Sequence, residues 1–188
     1  LSCLALNLRP LGAFLFAAGL YTIWMYGFNL YTGKVGYIAY NFKDTKHIRL
    51  VILTLSFNLL STYILGIMAG YAFPLVVEPA KEIFYAKTQT PLLRLFISGL
   101  FCGILMFLSV DTWKKGSKAG VFIYIPVFIL CGFDHSIANS FYNGIANGLN
   151  AFTPQNVLIF ISVILGNAAG GMLIPLLTRN FSKTACPE

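Results

Sequence analysis

The chain has 188 residues, of which 57% are hydrophobic and 10% are charged, and its formal net charge is +7. Charged residues make up about 25% of a typical soluble domain, so this composition excludes an ordinary soluble protein and predicts one integral membrane domain. The positive charge alone does not predict nucleic-acid binding, because the basic residues lie in short gaps between apolar stretches rather than on one polar face.

Five apolar segments are long enough to cross a bilayer, which takes about 20 residues in a helix. The first and fourth are too long for one untilted helix, and each contains a polar interruption, NLYTGK at 29–34 and GFDHSIANS at 132–140. Irregular backbone at membrane depth is tolerated only where it is buried in protein or lines a cavity, so we predict two broken helices. The five segments occupy residues of about 10–40, 49–73, 92–113, 119–150 and 156–178.

The two interrupted segments are three segments apart, which predicts a repeat unit of three spans and a transport path between the two units. Six spans would complete two units. The sequence begins at Leu1, and LSCLALN resembles the end of an apolar run, so we expect a further N-terminal span before the five. The predicted fold is therefore an all-α membrane protein, an inverted repeat of three plus three spans, with residues 1–188 forming a single transmembrane transport domain.

The basic residues of the gaps are divided unequally between the two sides of the membrane. By the positive-inside rule the richer side is cytoplasmic, which places the C-terminus, and with a sixth span also the N-terminus, inside. The poorer side carries Lys81 and Lys87, with Arg9 and Arg94 near the span ends. The richer side carries Lys43, Lys46, Arg49, Lys114, Lys115, Lys118, Arg179 and Lys183.

His135 is an ionisable residue inside a predicted span. A histidine in a soluble core usually packs with its ring bonded to a backbone carbonyl, but an ionisable group within a membrane is costly and by default marks a pathway. Imidazole titrates near neutral pH, so it can offer a proton or a positive charge to a passing anion. The neighbouring Asp134 cannot share its side of a helix, and we expect it to face a backbone break or another helix.

Further polar groups surround His135. Ser136 and Asn139 supply hydroxyl and amide donors, and a half-helix that starts at the break would add positive potential from its N-terminus. This chemistry suits a small anion better than a cation. The matching interruption in the first segment contains Asn29, Thr32 and Gly33, for which a capped kink is the alternative interpretation.

The sequence contains no pattern that predicts an enzyme, a metal site or a cofactor. Nucleotide-binding loops and the HExxH and GxSxG motifs are absent, and no companion metal ligands accompany His135. Gly-xxx-Gly spacings in GIMAG (66–70) and GNAAGG (166–171) predict close helix packing. Four cysteines without CxxC spacing predict small apolar residues rather than disulfides, namely Cys3, Cys102, Cys131 and Cys186.

These stretches resemble the formate–nitrite transporter family. GFDHSIANSF resembles the family's signature loop, LGAFLFAAGLYTIWMYGFNLYTGKVGYI its second membrane segment, and LGNAAGGMLI its sixth, while the run from PLLRLF to PVFIL resembles its fourth segment leading into the fifth. The resemblance covers nearly the whole chain. It implies an aquaporin-like arrangement of six spans, a homopentamer with one pore in each protomer, and passage of small monovalent weak-acid anions such as formate, nitrite or hydrosulfide.

The resemblance also implies roles for single residues. His135 matches the central pore histidine, Thr32 the threonine opposite it, and Asn139 the asparagine that follows in the loop. Relatives often carry an acid in place of Asn29 and an asparagine in place of Gly103, so the motifs do not choose the anion. The implied constrictions are Leu20, Leu30 and Tyr31 on the cytoplasmic side and Phe16 and Phe128 on the outer side, with Lys87 near the outer vestibule.

From this pattern we expect a channel or transporter in the inner (plasma) membrane whose partners are a small anion, protons and the lipid bilayer. A bare anion is costly to desolvate, so we favour proton-coupled passage with His135 as donor or as hydrogen-bonded relay. A neutral-solute or water pore of aquaporin-like shape is the alternative. A membrane enzyme would need a second titratable group at bilayer depth near His135, and Asp134 is the one that the sequence offers.

Overall fold

The computed structural model describes residues 8–178 of the chain, and within that range all regular secondary structure is helical. Three short 3₁₀ helices, Val35–Tyr40, Pro74–Val76 and Gly148–Asn150, connect or extend the α-helices. The α-helices in chain order are α1 (Arg9–Met25), α2 (Tyr31–Lys34), α3 (Thr45–Ala72), α4 (Val77–Thr88), α5 (Leu92–Lys114), α6 (Ala119–Leu130), α7 (Ser136–Asn147) and α8 (Pro154–Thr178).

Three of these helices, α3, α5 and α8, are long and apolar enough to cross a membrane. In the other two segments a first half-helix, α1 or α6, is followed by a non-helical break and a second half-helix. The second half is α2 with its 3₁₀ continuation after α1, and α7 after α6. The chain is therefore an all-α membrane protein with two broken helices, which confirms the predicted fold class.

The breaks lie slightly before the positions that the sequence predicted. The non-helical residues are 26–30 and 131–135, whereas 31–34 and 136–140 are helical. Each first half-helix ends just before a glycine with positive φ, +69° at Gly27 and +71° at Gly132, a conformation that glycine adopts without steric cost. The polar residues that suggested irregular backbone, among them Thr32 and Ser136, are instead buried on the second half-helices.

Helix α4 was not predicted, because residues 77–88 are too polar to read as a span. It is a 12-residue helix that buries Ala80 and Phe84 and packs against α7. Its last turn carries Lys87, and this position brings a basic side chain from a connecting segment to the start of α7.

The long helices approach one another at glycines, as the Gly-xxx-Gly spacings predicted. A Cβ atom on Gly166 of α8 would collide with the carbonyl oxygen of Phe96 on α5, and one on Gly170 would collide with that of Leu100. Helices α3 and α7 likewise cross where Gly66 meets the backbone of α7. Helix backbones in contact at this distance leave no room for a side chain between them.

The main apolar core lies between α1, α5 and α6 and includes Ala17, Met106 and Ile125. Cys102 is buried in this core and Cys131 is exposed at the second break, and neither forms a disulfide with another described residue. Cys3 and Cys186, like Arg179 and Lys183, lie outside the described residues.

The two halves of the described chain have the same order of elements. A broken helix, α1 with α2 or α6 with α7, is followed by a long helix, α3 or α8. Each long helix packs against the second half-helix of the other half, α3 on α7 and α8 on Val35–Tyr40, and α1 packs against α6. This arrangement is the inverted repeat that the sequence predicted, and it brings the two breaks together inside the protein.

Candidate functional site

A cavity of about 530 Å³ leads from one end of the helix bundle to His135. Helices α1, α4 and α7 and the end of α6 form its walls. Two basic side chains, Arg9 and Lys87, line it together with the amide of Asn139. These two cations make the cavity electropositive, and we call this cavity the vestibule.

His135 lies at the second break and is 4% exposed. Its Nε2 atom is 2.9 Å from the Oγ1 atom of Thr32 on the other half of the chain. Its Nδ1 atom accepts a hydrogen bond of 3.2 Å from the backbone N–H of Ala138, so His135 is the N-cap of α7. Since Nδ1 accepts, the neutral ring carries its proton on Nε2 and donates it to Thr32.

An asparagine on α8 fixes the backbone on both sides of His135. Asn167, which is fully buried, accepts a bond of 2.9 Å from the N–H of Ser136 and donates one of 2.8 Å to the carbonyl of Asp134. It also donates to the carbonyl of Gly99 on α5. The N–H groups at the start of α7, from which we expected positive potential at the break, are thus partly occupied, by Asn167 and by His135 itself.

The first break is held in the same way from α3. Asn58 accepts a bond of 3.0 Å from the N–H of Tyr31 and donates one of 3.2 Å to the carbonyl of Asn29. In both halves the asparagine therefore bonds the first residue of the second half-helix and the residue two positions before it. Leu30, the residue between, has the extended backbone of an N-cap and is the structural counterpart of His135.

The roles of Asn58 and Asn167 were not predicted. The sequence does contain a repeated tripeptide that marks the two breaks as equivalent. The run Gly27-Phe28-Asn29 is similar to the run Gly132-Phe133-Asp134, and the residue numbers of the two glycines differ by 105. The backbone bonds at these turns also correspond, with Phe28 donating to Ile23 and Phe133 to Phe128. The two breaks are therefore equivalent in sequence and in backbone geometry.

Asp134 connects the vestibule to three other helices. Its carboxylate forms an ion pair with Lys87 of α4 and accepts a hydrogen bond of 2.7 Å from Ser98 of α5. The amide of Asn139 donates to the same carboxylate at 3.1 Å. The expectation that Asp134 faces another helix is met. Lys87 is thereby neutralised in part, and one donor hydrogen of Asn139 is already used.

Two aromatic rings lie next to His135 in the cavity. The rings of Phe16 and Phe128 meet edge to face with centroids 6.0 Å apart, and the Phe128 ring also lies against the imidazole at 5.9 Å. Both phenylalanines line the cavity. The structure thus brings together the two residues that the resemblance implied for the outer constriction.

The three residues implied for the cytoplasmic constriction are all buried in the main core, at 4% for Leu20, 7% for Leu30 and 4% for Tyr31. The hydroxyl of Tyr31 donates a hydrogen bond of 3.2 Å to the carbonyl of Ile164 on α8. These three side chains are therefore packed in the core, and the hydroxyl of Tyr31 ties them to α8; their role as a constriction stays a prediction.

No group of three or more His, Cys, Asp or Glu side chains within residues 8–178 is placed to hold a metal ion. The hydroxyl oxygen of Ser136 is buried without a hydrogen-bond partner in the same range, close to the imidazole in sequence. The site therefore contains hydrogen-bond donors and basic groups, which can bind an anion.

Comparison with known proteins agrees with this arrangement. A family model described as formate/nitrite transporter matches residues 5–180. The uncharacterized transporter YwcJ of Bacillus subtilis (strain 168) is 28% identical, over 88% of this chain and 72% of that protein. A solved structure described as a pentameric formate channel with formate bound superposes with a TM-score of 0.75 at 24% identity, over 95% of this chain and 84% of that one.

These matches agree with the order of the broken helices and with the contact between His135 and Thr32. The chain belongs to the formate/nitrite transporter family and is a multi-pass membrane transport protein, not an enzyme.

Proposed function

We propose that this protein passes small monovalent weak-acid anions of the formate, nitrite or hydrosulfide class through each protomer, coupled to protons. The observation that carries the proposal is the contact between His135 and Thr32 at the base of a cationic vestibule, with apolar constrictions on either side. A similar protein solved with formate bound supports the same class of substrate.

The vestibule favours anions over cations. Arg9 and Lys87 line it, and Asp134 balances the charge of Lys87, so about one positive charge is left to attract an anion from solution. At the Phe16–Phe128 pair the anion loses water, and a bare charge at low dielectric costs many kcal/mol. Desolvation raises the proton affinity of a carboxylate, so a weak acid can cross this region in its neutral form.

The hydrogen bonds of His135 support a relay role rather than that of a net proton donor. If the ring gave its Nε2 proton to the substrate, it would need a new proton on Nδ1, but that atom faces the N–H of Ala138. Nε2 instead donates to Thr32, whose own hydroxyl hydrogen is left to point at the substrate. The proton that crosses with the anion is then taken from vestibule water.

We propose the same assembly and orientation that the resemblance implied, a homopentamer in the inner membrane with a cytoplasmic C-terminus. The pentameric relative supports the first point. For the second, the basic residues of 43–49 and 114–118 lie at the same end of the molecule, because Lys114 contacts Tyr37 just before the first of these segments. The vestibule with Lys87 then faces outward.

Proteoliposomes that contain the purified protein test the proposal directly. We expect flux of formate, nitrite and hydrosulfide that rises as pH falls and carries protons into the vesicle, measured with an internal pH dye. Chloride, which does not take up a proton near neutral pH, is expected to pass far more slowly. Equal flux of chloride and formate at every pH would contradict proton coupling.

A neutral-solute or water pore is the second candidate, and the apolar rings that narrow the path favour it. Such a pore would conduct water or glycerol without dependence on pH or charge. Stopped-flow swelling of the same vesicles measures this flux, and fast glycerol flux without formate flux would replace the anion proposal.

A further inference from the structure

The equivalence of the two breaks predicts where the second mouth of the path lies. With an offset of 105 residues, three residues that line the outer vestibule, Ala138, Asn139 and Tyr142, correspond to three residues on α2 and its 3₁₀ continuation. These counterparts lie after the first break on the opposite side of the Thr32–His135 contact. They are Gly33, Lys34 and Tyr37.

Positive charge is concentrated at these counterparts. The ammonium of Lys114, at the end of α5, lies 3.3 Å above the centre of the Tyr37 ring. Lys34 lies near enough for its charge to repel that of Lys114. Two like charges that repel each other are unfavourable unless a negative charge offsets them.

The nearby carboxylate does not offset both lysines. Asp111 forms its ion pair with Lys115, at 2.7 Å, although its charge also reaches Lys114. Among the described residues neither Lys34 nor Lys114 has an ion-pair partner. The hydroxyl oxygen of Tyr37 is buried there and has no hydrogen-bond partner within residues 8–178.

We propose that Lys34, Lys114 and the hydroxyl of Tyr37 form a binding site for a small monovalent anion at the cytoplasmic mouth. Two ammonium groups and one hydroxyl donor match the charge and the acceptor atoms of an oxyanion, and a bound anion relieves the repulsion between the lysines. This inference rests on the proposed function and deepens it, because it gives the path a second anion site on the side opposite the vestibule.

The outer vestibule and the proposed cytoplasmic site differ in whether a carboxylate balances the charge of their lysines. In the outer vestibule Lys87 is paired with Asp134, whereas Lys34 and Lys114 share no carboxylate of their own. The cytoplasmic site therefore holds an anion more tightly than the vestibule does. A formate gradient applied from the cytoplasmic side saturates transport at a lower concentration than one applied from outside.

Sided vesicles test this difference. Formate uptake is measured in right-side-out and inside-out vesicles carrying wild type, Lys34→Gln, Lys114→Gln or Lys46→Gln. We expect each of the first two variants to raise the half-saturation concentration from the cytoplasmic side by roughly five- to tenfold and to leave the outer value unchanged. Lys46→Gln, which removes an exposed lysine of α3 that forms no ion pair within residues 8–178, is the matched control and should change neither value.

A lipid phosphate could satisfy the same two lysines, so the measurement is repeated in vesicles of phosphatidylcholine alone and with phosphatidylglycerol. An effect of Lys34→Gln that persists in phosphatidylcholine supports a free anion as the ligand. An effect that vanishes there overturns that assignment, as does an equal change from both sides of the membrane.

A binding measurement separates this inference from the proposed function. Sodium formate should raise the thermal stability of the detergent-purified wild type relative to sodium gluconate at equal ionic strength, and Lys34→Gln should lose part of this gain. If wild type transports no anion but keeps the lysine-dependent gain, the proposed function fails and the site remains. If transport is normal but neither the stabilisation by formate nor the half-saturation concentration depends on Lys34, the proposed anion site is refuted.

Discussion

The two ring nitrogens of His135 make different contacts, since Nδ1 caps α7 and Nε2 bonds to Thr32. Asparagine is a favoured N-cap residue, so His135→Asn keeps an acceptor for the first turn of α7 but has no titratable group. We expect a folded variant whose formate flux is lower and rises less steeply as pH falls, because no imidazole N–H is left to orient the hydroxyl of Thr32 toward the substrate. Proteoliposome flux at several pH values measures this.

Thermal stability distinguishes this outcome from a merely structural role. If His135 serves only to pack helices, His135→Asn lowers the melting temperature and keeps the wild-type flux–pH curve. An unchanged curve in a well-folded variant would therefore defeat the assignment of His135 to the pore.

The Lys87–Asp134 pair is the second residue whose replacement has a clear consequence. Both side chains are largely buried, at 15% and 6% exposed, so removing one partner leaves an uncompensated charge. We expect Lys87→Met to cost about 3 kcal/mol of stability, and the double variant Lys87→Met/Asp134→Asn to recover most of it. Denaturation of the purified proteins measures both, and equal losses in the single and double variants would contradict the prediction.

At the scale of the element, the breaks depend on two glycines in left-handed conformation. Among residues 8–178 no atom lies within 4 Å of a Cβ placed on Gly27 or Gly132, so an alanine there costs conformational energy alone, about 1 kcal/mol. Gly19 is the matched control, because it is equally uncrowded but helical, and Gly19→Ala should stabilise α1 by up to about 1 kcal/mol. Thermal melts measure these changes. A lower melting temperature for Gly27→Ala and Gly132→Ala with a higher one for Gly19→Ala would support the role of the two glycines, whereas a lower melting temperature in all three variants would contradict it.

The asparagines that hold the breaks should affect transport differently. Asn167→Ala frees the backbone around His135, and we expect it to shift the pH dependence of flux. Asn58→Ala frees the backbone around Leu30, and we expect it to keep the pH dependence but admit larger anions such as acetate. The measurement is flux of formate and acetate across pH.

Asn156 provides a control on α8, since its amide bonds to the carbonyl of Ala151 away from both breaks. Asn156→Ala should lower stability without changing either transport property. A pH shift in Asn156→Ala as large as that in Asn167→Ala would show that general loosening of α8 explains both.

The sequence predicted the bounds of a helix well where the length of an apolar run determines them. It predicted them less well where the backbone conformation of a single residue determines them. The three long helices appear close to the predicted bounds because only a continuous helix satisfies its own backbone in lipid. The sequence predicted the breaks at the polar residues. In the structure the breaks lie at Gly27 and Gly132, and the polar residues lie on the helices that follow. Helix α4 was missed because it is stabilised by contact with α7 rather than by a membrane-length apolar run.

The site was predictable to the extent that it follows a motif. Thr32 and His135 are in contact as the family resemblance implied, and Phe16 and Phe128 meet beside them. Asn58 and Asn167 lie on long helices far along the chain from the breaks that they hold, and no local pattern marks an asparagine that bonds a distant backbone. The transport roles of these residues remain predictions.

At the scale of the whole molecule, most of the surface of α3 is apolar and exposed, including Phe57, Leu60 and Met68. Such a surface needs lipid or other helices to cover it. We expect detergent-purified protein to form a ring of five, with native mass spectrometry giving five times the protomer mass. A stable monomer or tetramer under conditions that preserve transport would contradict the pentamer.

The asparagine contacts also bear on how the chain is made. Asn58 bonds groups 27 and 29 residues before it, and Asn167 bonds groups 31 and 33 residues before it, whereas Thr32 and His135 are 103 residues apart. A nascent chain can therefore close its first break as soon as α3 has left the translocon, while the ribosome has yet to synthesise the second half. We therefore expect the contact between Thr32 and His135 to form last, after the second half of the chain has entered the bilayer.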